Sequence, residues 1–137
     1  MTYRQYTSVL LDRGVHLQAI IFEFGGTLVQ MKNGEAQPLP GVLEKLGQLT
    51  APRIFVITGD PQAPSMITQL NKYCDDCITD HGIYGDASDA KRTIADLLAK
   101  YKLSPAAAVM IGDSDTDYKS AQAAKLAKFI RAGDYFG

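Results

Sequence analysis

The segment AIIFEFGGTLV, at residues 19–29, carries the strongest structural signal in the chain. An apolar run leads to the carboxylate Glu23, and a Gly-Gly-Thr turn follows. Buried strands of parallel sheets have continuous apolar sequences of this kind. Open α/β sheets place their functional sites at the carboxyl ends of their strands. The segment therefore predicts that Glu23 lies at a functional edge of a parallel sheet.

The composition is that of a folded globular domain. With 137 residues, 46% hydrophobic and 21% charged, the chain can bury a sizeable core as a single domain over residues 1–137. A net charge of -1 gives no basis for electrostatic binding to nucleic acid or to an anionic membrane. No apolar run reaches the length of a membrane span, and the N-terminus lacks a secretory pattern. The cytoplasm is therefore the expected location.

Strand and helix signals alternate along the chain after an amphipathic lead-in helix expected at residues 3–13, within a leading segment 1–14. The predicted strands are residues 17–24, 53–58, 77–79, 106–111 and 127–130. The predicted helices are residues 42–49, 61–73, 88–102, with Ser88 as the cap, and 115–124. Residues 29–40, which contain a glycine and two prolines, are expected to form a loop or short flap. Five strands separated by helices predict a parallel sheet with right-handed crossovers.

The two cysteines, Cys74 and Cys77, form a lone C-x-x-C pair. This spacing allows a redox or zinc role, with His81 as a third ligand. A structural zinc site needs four ligands, however, and the sequence has no second C-x-x-C. Two reduced cysteines at the edge of a helix and a strand are therefore the favoured interpretation.

Four polar segments follow or begin predicted elements: residues 23–27, residues 58–60, Lys91 and residues 112–117. The carboxyl ends of parallel strands lie along one edge of a sheet, so these segments can converge there. Together they supply carboxylates, a hydroxyl group, a lysine and glycine-rich backbone. Such groups hold Mg²⁺ through oxygen atoms and neutralise the oxygens of a phosphoryl group.

The four segments resemble, in order, the motifs of the haloacid dehalogenase-like (HAD) superfamily, most of whose members are Mg²⁺-dependent phosphohydrolases. The first motif is a strand ending in D-x-D-G-T-L, and residues 23–28 are EFGGTL. The second is a strand ending in Thr or Ser, matched by Thr58 with Gly59 after it. Lys91 matches the third motif, and GDSDTD at residues 112–117 matches G-D-x-x-x-D, the fourth.

This resemblance covers residues 17–131 and implies an α/β fold, a three-layer Rossmann-like sandwich. Its parallel five-stranded sheet would have the strand order 5-4-1-2-3, with the strand that begins at Leu17 in the centre. Residues 28–53 and 59–91 are too short to hold a cap domain, so the chain would be capless. Capless relatives tend to have open sites that suit large or macromolecular substrates, or they cover the site by oligomerising. The implied partner is a phosphorylated substrate or ligand.

The resemblance also assigns roles to individual residues. The implied catalytic residues are Glu23, Thr58 and Lys91; the implied phosphate-binding residues are Thr58, Gly59 and Lys91; and the implied Mg²⁺ ligands are Glu23, Gly25 through its carbonyl, Asp113 and Asp117. Structural roles compete with several of these assignments. Thr58 or Asp113 could cap the helix that follows it, and Lys91 could be a solvated helix residue with Arg92 in its place.

Two positions depart from the family pattern. Glu23 stands where the family has the nucleophilic Asp, and its carboxylate reaches one methylene further; a misplacement of about 1 Å can cost about 10²-fold in rate. Gly25 stands where the family has the general acid/base Asp, and losing such a group typically costs about 10²–10⁴-fold. Two functions therefore remain open. One is a Mg²⁺-dependent phosphohydrolase of weak or unusual activity, and the other is a pseudoenzyme that binds a phosphorylated ligand, a metal or a protein partner.

Overall fold

A computed structural model describes residues 16–33, 35–49 and 53–136. Its strands are β1 (Ala19–Glu23), β2 (Val29–Lys32), β3 (Glu35–Pro38), β4 (Ile54–Thr58), β5 (Asp80–Ile83), β6 (Ala108–Gly112) and β7 (Lys128–Arg131). Its helices are α1 (Val42–Gln48), α2 (Ala63–Tyr73), α3 (Ala90–Lys100), α4 (Asp115–Ala123) and α5 (Ala132–Phe136), with 3₁₀ turns at Ala87–Asp89 and Pro105–Ala107. The lead-in helix expected at residues 3–13 lies outside the described residues.

Five of the strands form one parallel sheet with β1 at its centre. The order is β5-β4-β1-β6-β7, and every neighbouring pair is parallel. When the five strands of this sheet are numbered 1 to 5 in chain order and read from β7, the order is 5-4-1-2-3, so the prediction is confirmed. All residues of β1, β4 and β6 are buried, which is why their sequences are continuously apolar up to the last positions.

Helices cover both faces of the sheet, which gives the three-layer sandwich that the sequence predicted. Alternate residues of a strand point to opposite faces. Phe22 therefore packs toward α1, α2 and α5, while Ile21 packs toward α3 and α4. Burial of each large apolar side chain contributes about 1.5–3 kcal/mol, so the two cores fix the position of β1 from both sides.

The segment between β1 and α1 is a hairpin rather than an irregular loop. Strands β2 and β3 pair antiparallel from Val29 with Pro38 to Lys32 with Glu35. The hairpin and α1 account for the described residues between β1 and β4, and α2 and β5 account for most of those between β4 and α3. In the described residues there is no cap domain, as the sequence predicted.

The third strand of the sheet lies later in the chain than expected. The prediction of residues 77–79 is wrong, because the backbone of Thr79 and its hydroxyl only begin the pairing with Ile54, and the strand itself is Asp80–Ile83. The following helix is also shorter than predicted. It runs from Ala90 to Lys100, and Asp86 rather than Ser88 provides the side-chain cap, for the 3₁₀ turn before the helix.

The two cysteines are joined by a disulfide bond, so the expectation of reduced cysteines is wrong. Cys74 ends α2, and Asp75 and Asp76 both adopt left-handed backbone conformations with φ of 53° and 58°. This turn brings the two Cα atoms to 5.3 Å, within the range that a disulfide requires. The sequence spacing did not reveal this turn, because neither aspartate is a residue that requires it.

Among the described residues, no helix has the length and apolar character needed to cross a membrane.

Candidate functional site

Glu23 is a buried carboxyl group at the carboxyl end of the central strand. Only 6% of the residue is exposed, and it pairs in the sheet with Ile57 of β4. The alternation along β1 directs Glu23 to the same side of the sheet as Ile21, toward α3 and α4. Its position at the carboxyl edge of the parallel sheet is the one that the sequence predicted.

Tyr84, just after β5, holds one oxygen of the Glu23 carboxyl group. The Tyr84 hydroxyl donates a hydrogen bond to Glu23 Oε1 over 3.0 Å. Glu23 Oε2 is buried and has no hydrogen-bond partner within the described residues. The two oxygens of Glu23 are therefore in different environments. Tyr84 is not among the predicted site residues, because the neighbouring strand was expected at residues 77–79 and the observed strand continues to Ile83, directly before Tyr84.

The environment of Glu23 favours its protonated form. Burial raises the pKa of Glu23 to about 8, and the charges of Asp117 and Asp113 add to the rise, while the hydrogen bond from Tyr84 opposes it. Burial, followed by the neighbouring Asp117, also raises the pKa of Asp113. The fold has thus brought three acidic side chains from two distant motifs close enough to influence one another, as the sequence predicted from the strand ends.

Asp117 has a clear structural function at the start of α4. Its Oδ2 accepts hydrogen bonds from the backbone N–H groups of Asp113 (3.0 Å) and Ser114 (3.2 Å), while Ser114 Oγ accepts from Asp117 N–H. This reciprocal arrangement is a capping box, so Ser114 is the N-cap and the alternative that Asp113 caps the helix is wrong. Asp113 is left with its carboxylate directed at the first motif.

A glycine turn in the first motif contacts the fourth motif. Gly26 has a left-handed φ of 79°, and its N–H donates to Val29 O over 2.8 Å. A Cβ atom on Gly26 would overlap the carboxylate of Asp113, so the backbone and this carboxylate are in direct contact. Gly25 is exposed beside them, with open space where a side chain would be. Gly26 therefore allows the acidic group of Asp113 to reach the end of β1.

Thr58 and Gly59 border Glu23 on the β4 side. Thr58 is buried at the end of β4, and its hydroxyl accepts a hydrogen bond from Asp60 N–H over 3.0 Å. It stabilises the turn after the strand rather than capping α2, whose N-cap is Gln62. A hydroxyl can still donate while it accepts. Gly59 lies under the ring of Tyr84, where a Cβ atom would come within 3.0 Å of Tyr84 Cε2.

Lys91 lies apart from the carboxyl groups. It is exposed in the first turn of α3, where it borders a shallow hollow together with Thr116 and Ser120 of α4. In the described part of the chain, no hydrogen bond or ion pair joins Lys91 to Glu23, Asp113 or Asp117. The strand edge thus brings together the first, second and fourth predicted segments, with the lysine at a distance that its flexible side chain would have to bridge.

The donor set suits Mg²⁺. This cation takes oxygen ligands and commonly uses only one or two carboxylates, with water and phosphate oxygens completing its shell. Glu23 Oε2 is a buried oxygen with no partner in the described residues, and the Asp113 carboxylate lies against the adjacent Gly26. Among those residues, no three or more His, Cys, Asp or Glu side chains form a ready-made cage for a metal. A site here would rely on two carboxylates, a backbone carbonyl and solvent.

Fold and site together define a Rossmann-like α/β protein with acidic groups at the carboxyl edge of its central strand. Comparisons with known proteins identify the family to which the chain belongs. The sequence profile of the haloacid dehalogenase-like hydrolases matches residues 6–125. The chain belongs to this family of hydrolases, so the resemblance in the sequence is confirmed. A search of curated proteins found no match.

Solved structures agree with this fold. One is a HAD-superfamily hydrolase of subfamily IA, variant 1, from Geobacter sulfurreducens, with a TM-score of 0.67, 13% identity, and coverage of 83% of this chain and 94% of that one. Another is 3-deoxy-D-manno-octulosonate 8-phosphate phosphatase from Moraxella catarrhalis, in complex with magnesium ion, phosphate ion and a KDO molecule. It has a TM-score of 0.60 and 19% identity, and the match covers 84% of this chain and 68% of that one. At these identities the likeness concerns the fold alone.

Proposed function

We propose that this chain is a Mg²⁺-dependent phosphohydrolase of weak activity, with Glu23 as its nucleophile. The observation that carries the proposal is the Glu23 carboxyl group itself. It is buried at the end of the central strand, has one oxygen without a partner in the described residues, and lies beside the acidic groups of the fourth motif. Burial of a carboxyl group among like charges costs free energy. A bound cation offsets this cost, and a role in a reaction is a reason for the protein to keep the group.

In this proposal, a Glu23 carboxylate oxygen attacks the phosphorus of a phosphate monoester and forms an acyl phosphate, while the bond to the leaving oxygen breaks. Water then hydrolyses the acyl phosphate and restores Glu23. Thr58 and the backbone at Gly59 would bind the phosphoryl oxygens, and Lys91 would reach in from α3 to neutralise them. The metal, held by Glu23, Asp113 and the Gly25 carbonyl with Asp117 behind them, would supply positive charge that favours the ionised form of Glu23.

Two features limit the rate. Gly25 has no side chain, so the leaving oxygen must take its proton from water instead of from a positioned acid. The raised pKa of Glu23, about 8, means that the group is largely protonated at neutral pH when no cation is bound, and a protonated carboxyl group is a poor nucleophile. Both features predict slow turnover.

A phosphorylated compound is the proposed substrate, and the cytoplasm remains the proposed location. A cavity of about 480 Å³ adjoins the first motif and is lined by Thr27, Leu39, Gly41 and Phe136 among others. Its size is within the usual range for small-molecule pockets, so it would receive the organic part of the substrate, while the phosphoryl group binds at Glu23, Thr58 and Gly59. With no cap over the edge, a larger substrate or a second copy of the chain could also cover it.

The second candidate function is a pseudoenzyme that binds a phosphorylated ligand, metal or protein partner without turnover. The observation that favours it is the combination of Gly25 with a largely protonated Glu23. The metal and phosphate contacts would persist in such a protein, because at position 25 they need only the backbone carbonyl and no side chain.

Metal binding is tested by thermal unfolding with and without millimolar Mg²⁺. We expect Mg²⁺ to raise the melting temperature of the unchanged protein and to have no such effect on Asp113→Ala. Asp115→Ala is the matched control, because Asp115 is an exposed acid on the same turn whose carboxylate pairs with Arg131 instead. Equal stabilisation of all three proteins, or of none, would contradict the metal site.

Turnover is tested by a phosphatase screen over phosphorylated metabolites with Mg²⁺. The unchanged protein is compared with a Glu23→Asp, Gly25→Asp double variant and with the same variant carrying Asp113→Ala. Restoring both family residues should raise turnover by on the order of 10²-fold or more, and Asp113→Ala should abolish the gain. Fast hydrolysis by the unchanged chain would show that Glu23 is a competent nucleophile without the two family aspartates. A folded but inert double variant would favour the binding role.

A further inference from the structure

Tyr84 lies between the first two motifs of the site. Its backbone N–H donates to Thr58 O over 3.0 Å, and this hydrogen bond holds the backbone of Tyr84 beside the end of β4. From there the ring crosses Gly59, with Cε2 at 3.0 Å from where a Cβ atom on that glycine would be. The hydroxyl ends at Glu23 Oε1, again at 3.0 Å. One half-buried side chain therefore spans from the Thr58–Gly59 turn to the carboxyl group of β1.

The contact divides the surroundings of Glu23 into two sides. Oε1 is occupied by Tyr84 on the side of β4, while Oε2 has no partner in the described residues. An atom that reacts with a carboxylate oxygen must approach to about 3–3.5 Å. Tyr84 already fills that distance at Oε1 and covers the backbone at Gly59 as well.

We propose that Tyr84 acts as a gate that must swing away before a phosphoryl group can reach Glu23 and Gly59. The inference rests on the proposed function, because it names the residue that controls access to that same site. With the gate closed, Oε2 stays available to a cation while the approach of phosphate to Oε1 and Gly59 is blocked. The apparent affinity for phosphate is then the intrinsic affinity multiplied by the fraction of molecules in which the gate is open.

Inorganic phosphate is the probe, and its affinity is measured by calorimetry at saturating Mg²⁺ for Tyr84→Ala, Tyr84→Phe and the unchanged protein. Tyr84→Ala removes ring and hydroxyl together, so we expect phosphate to bind more than about tenfold more tightly, because the hydrogen bond to the carboxyl group that no longer has to be broken accounts for about tenfold by itself. Tyr84→Phe removes the hydroxyl but leaves the ring over Gly59, so its gain should be smaller.

Two other tyrosines provide matched controls. Tyr101 donates a hydrogen bond to Asp80 Oδ2 over 2.9 Å, so Tyr101→Phe removes the same kind of contact elsewhere in the protein. Tyr73 has an exposed ring at the end of α2, so Tyr73→Ala removes a ring without touching the site. Neither change should alter the affinity for phosphate.

The effect must also be separated from the charge of Glu23. Losing the Tyr84 hydrogen bond favours the protonated carboxyl group, which would itself repel phosphate less. The comparison is therefore repeated in the Glu23→Gln background without Mg²⁺, where the side chain has no charge, and a smaller gain from Tyr84→Ala should persist because the ring still covers Gly59. A gain that disappears with Glu23→Gln would overturn the gate, and so would equal or weaker phosphate binding by Tyr84→Ala.

Should Tyr84→Ala fail to fold, the unchanged protein with ¹³C-labelled tyrosine gives a second test. The ring signals of Tyr84, assigned by their loss in Tyr84→Phe, should shift as phosphate saturates the site, and unchanged signals at saturation would overturn the gate. The outcomes distinguish this inference from the proposed function. Turnover by the Asp-restored double variant without a Tyr84 effect on phosphate would refute only the gate, whereas tighter phosphate binding by Tyr84→Ala with an inert double variant would refute only the hydrolysis.

Discussion

Replacing Glu23 by glutamine measures the electrostatics of the site without any substrate. Glutamine has nearly the same size, can accept the Tyr84 hydrogen bond, and does not titrate. The folded protein raises the pKa of Glu23 from 4.5 to about 8, chiefly through burial. Between these two pH values, the folded chain retains a proton that the unfolded chain has released. The free energy of unfolding should therefore fall as the pH rises through this window.

The size of the effect follows from the same two values. Each pH unit in the window is worth about 1.4 kcal/mol, so the contribution of Glu23, complete below pH 4.5, should shrink by about 3–5 kcal/mol as the pH passes 8. Glu23→Gln should lack this loss and become the more stable protein at alkaline pH. The sign is opposite to that of a carboxylate held in a salt bridge, whose contribution is lost in acid.

Urea unfolding at half-unit pH steps from 4.5 to 9 is the assay, with the unchanged protein, Glu23→Gln and Glu44→Gln compared at each step. Glu44 is an exposed glutamate on α1, and its substitution should leave the pH profile unchanged. Profiles of the same shape for the unchanged protein and Glu23→Gln would refute the assignment of the raised pKa to Glu23. Saturating Mg²⁺ should flatten the fall, because a bound cation favours the ionised group.

Three further substitutions test the geometry around the site by chemical denaturation. Gly26→Ala should destabilise the protein by about 2 kcal/mol or more, because it places a Cβ at a left-handed φ of 79° and against a carboxylate, whereas Gly25→Ala, which has open space, should change stability by less than about 0.5 kcal/mol. Asp117→Ala should cost about 1–2 kcal/mol by removing the capping box, and Asp117→Asn should recover part of it, since an amide oxygen can still accept. Reduction of the Cys74–Cys77 disulfide by a dithiol should cost about 2 kcal/mol, the chain entropy of a four-residue loop, and an unchanged urea midpoint would contradict that bond.

The sequence by itself determined the sheet. Strands β1, β4 and β6 are buried throughout and apolar up to their last positions, where Glu23 and Thr58 stand in the first two. They alternate with amphipathic helices, and this pattern leaves a parallel sheet as the arrangement that buries both faces. The order of the strands was implied by the resemblance of the four motifs to those of one family. The edge strand β5 was misplaced because it is short, half-exposed and polar, so neither hydrophobicity nor alternation marks it.

Part of the site was also predictable from the chain. Because the strand ends of one parallel sheet meet at one edge, the sequence predicted that Glu23, Thr58, Gly59 and Asp113 lie near one another. The spacing of Asp113 and Asp117 indicated that the two acids interact. It did not indicate that Ser114 would be the cap and that Asp117 would bind the backbone, because capping depends on which side chain meets the first free N–H groups.

Only the tertiary structure decided the chemical state of the site. The pKa of Glu23 depends on how much solvent the surrounding layers exclude and on charges that arrive from residues about ninety positions away in the sequence. The contact of Tyr84 with Glu23 joins two side chains that are 61 residues apart, and the exposed position of Lys91 depends on where α3 begins relative to the sheet. Hydrophobic patterning predicts most of the residues that lie inside, because apolar side chains favour burial wherever the fold places them. Hydrogen bonds and charges act over a few ångströms between particular atoms, so only the folded chain determines which of them meet.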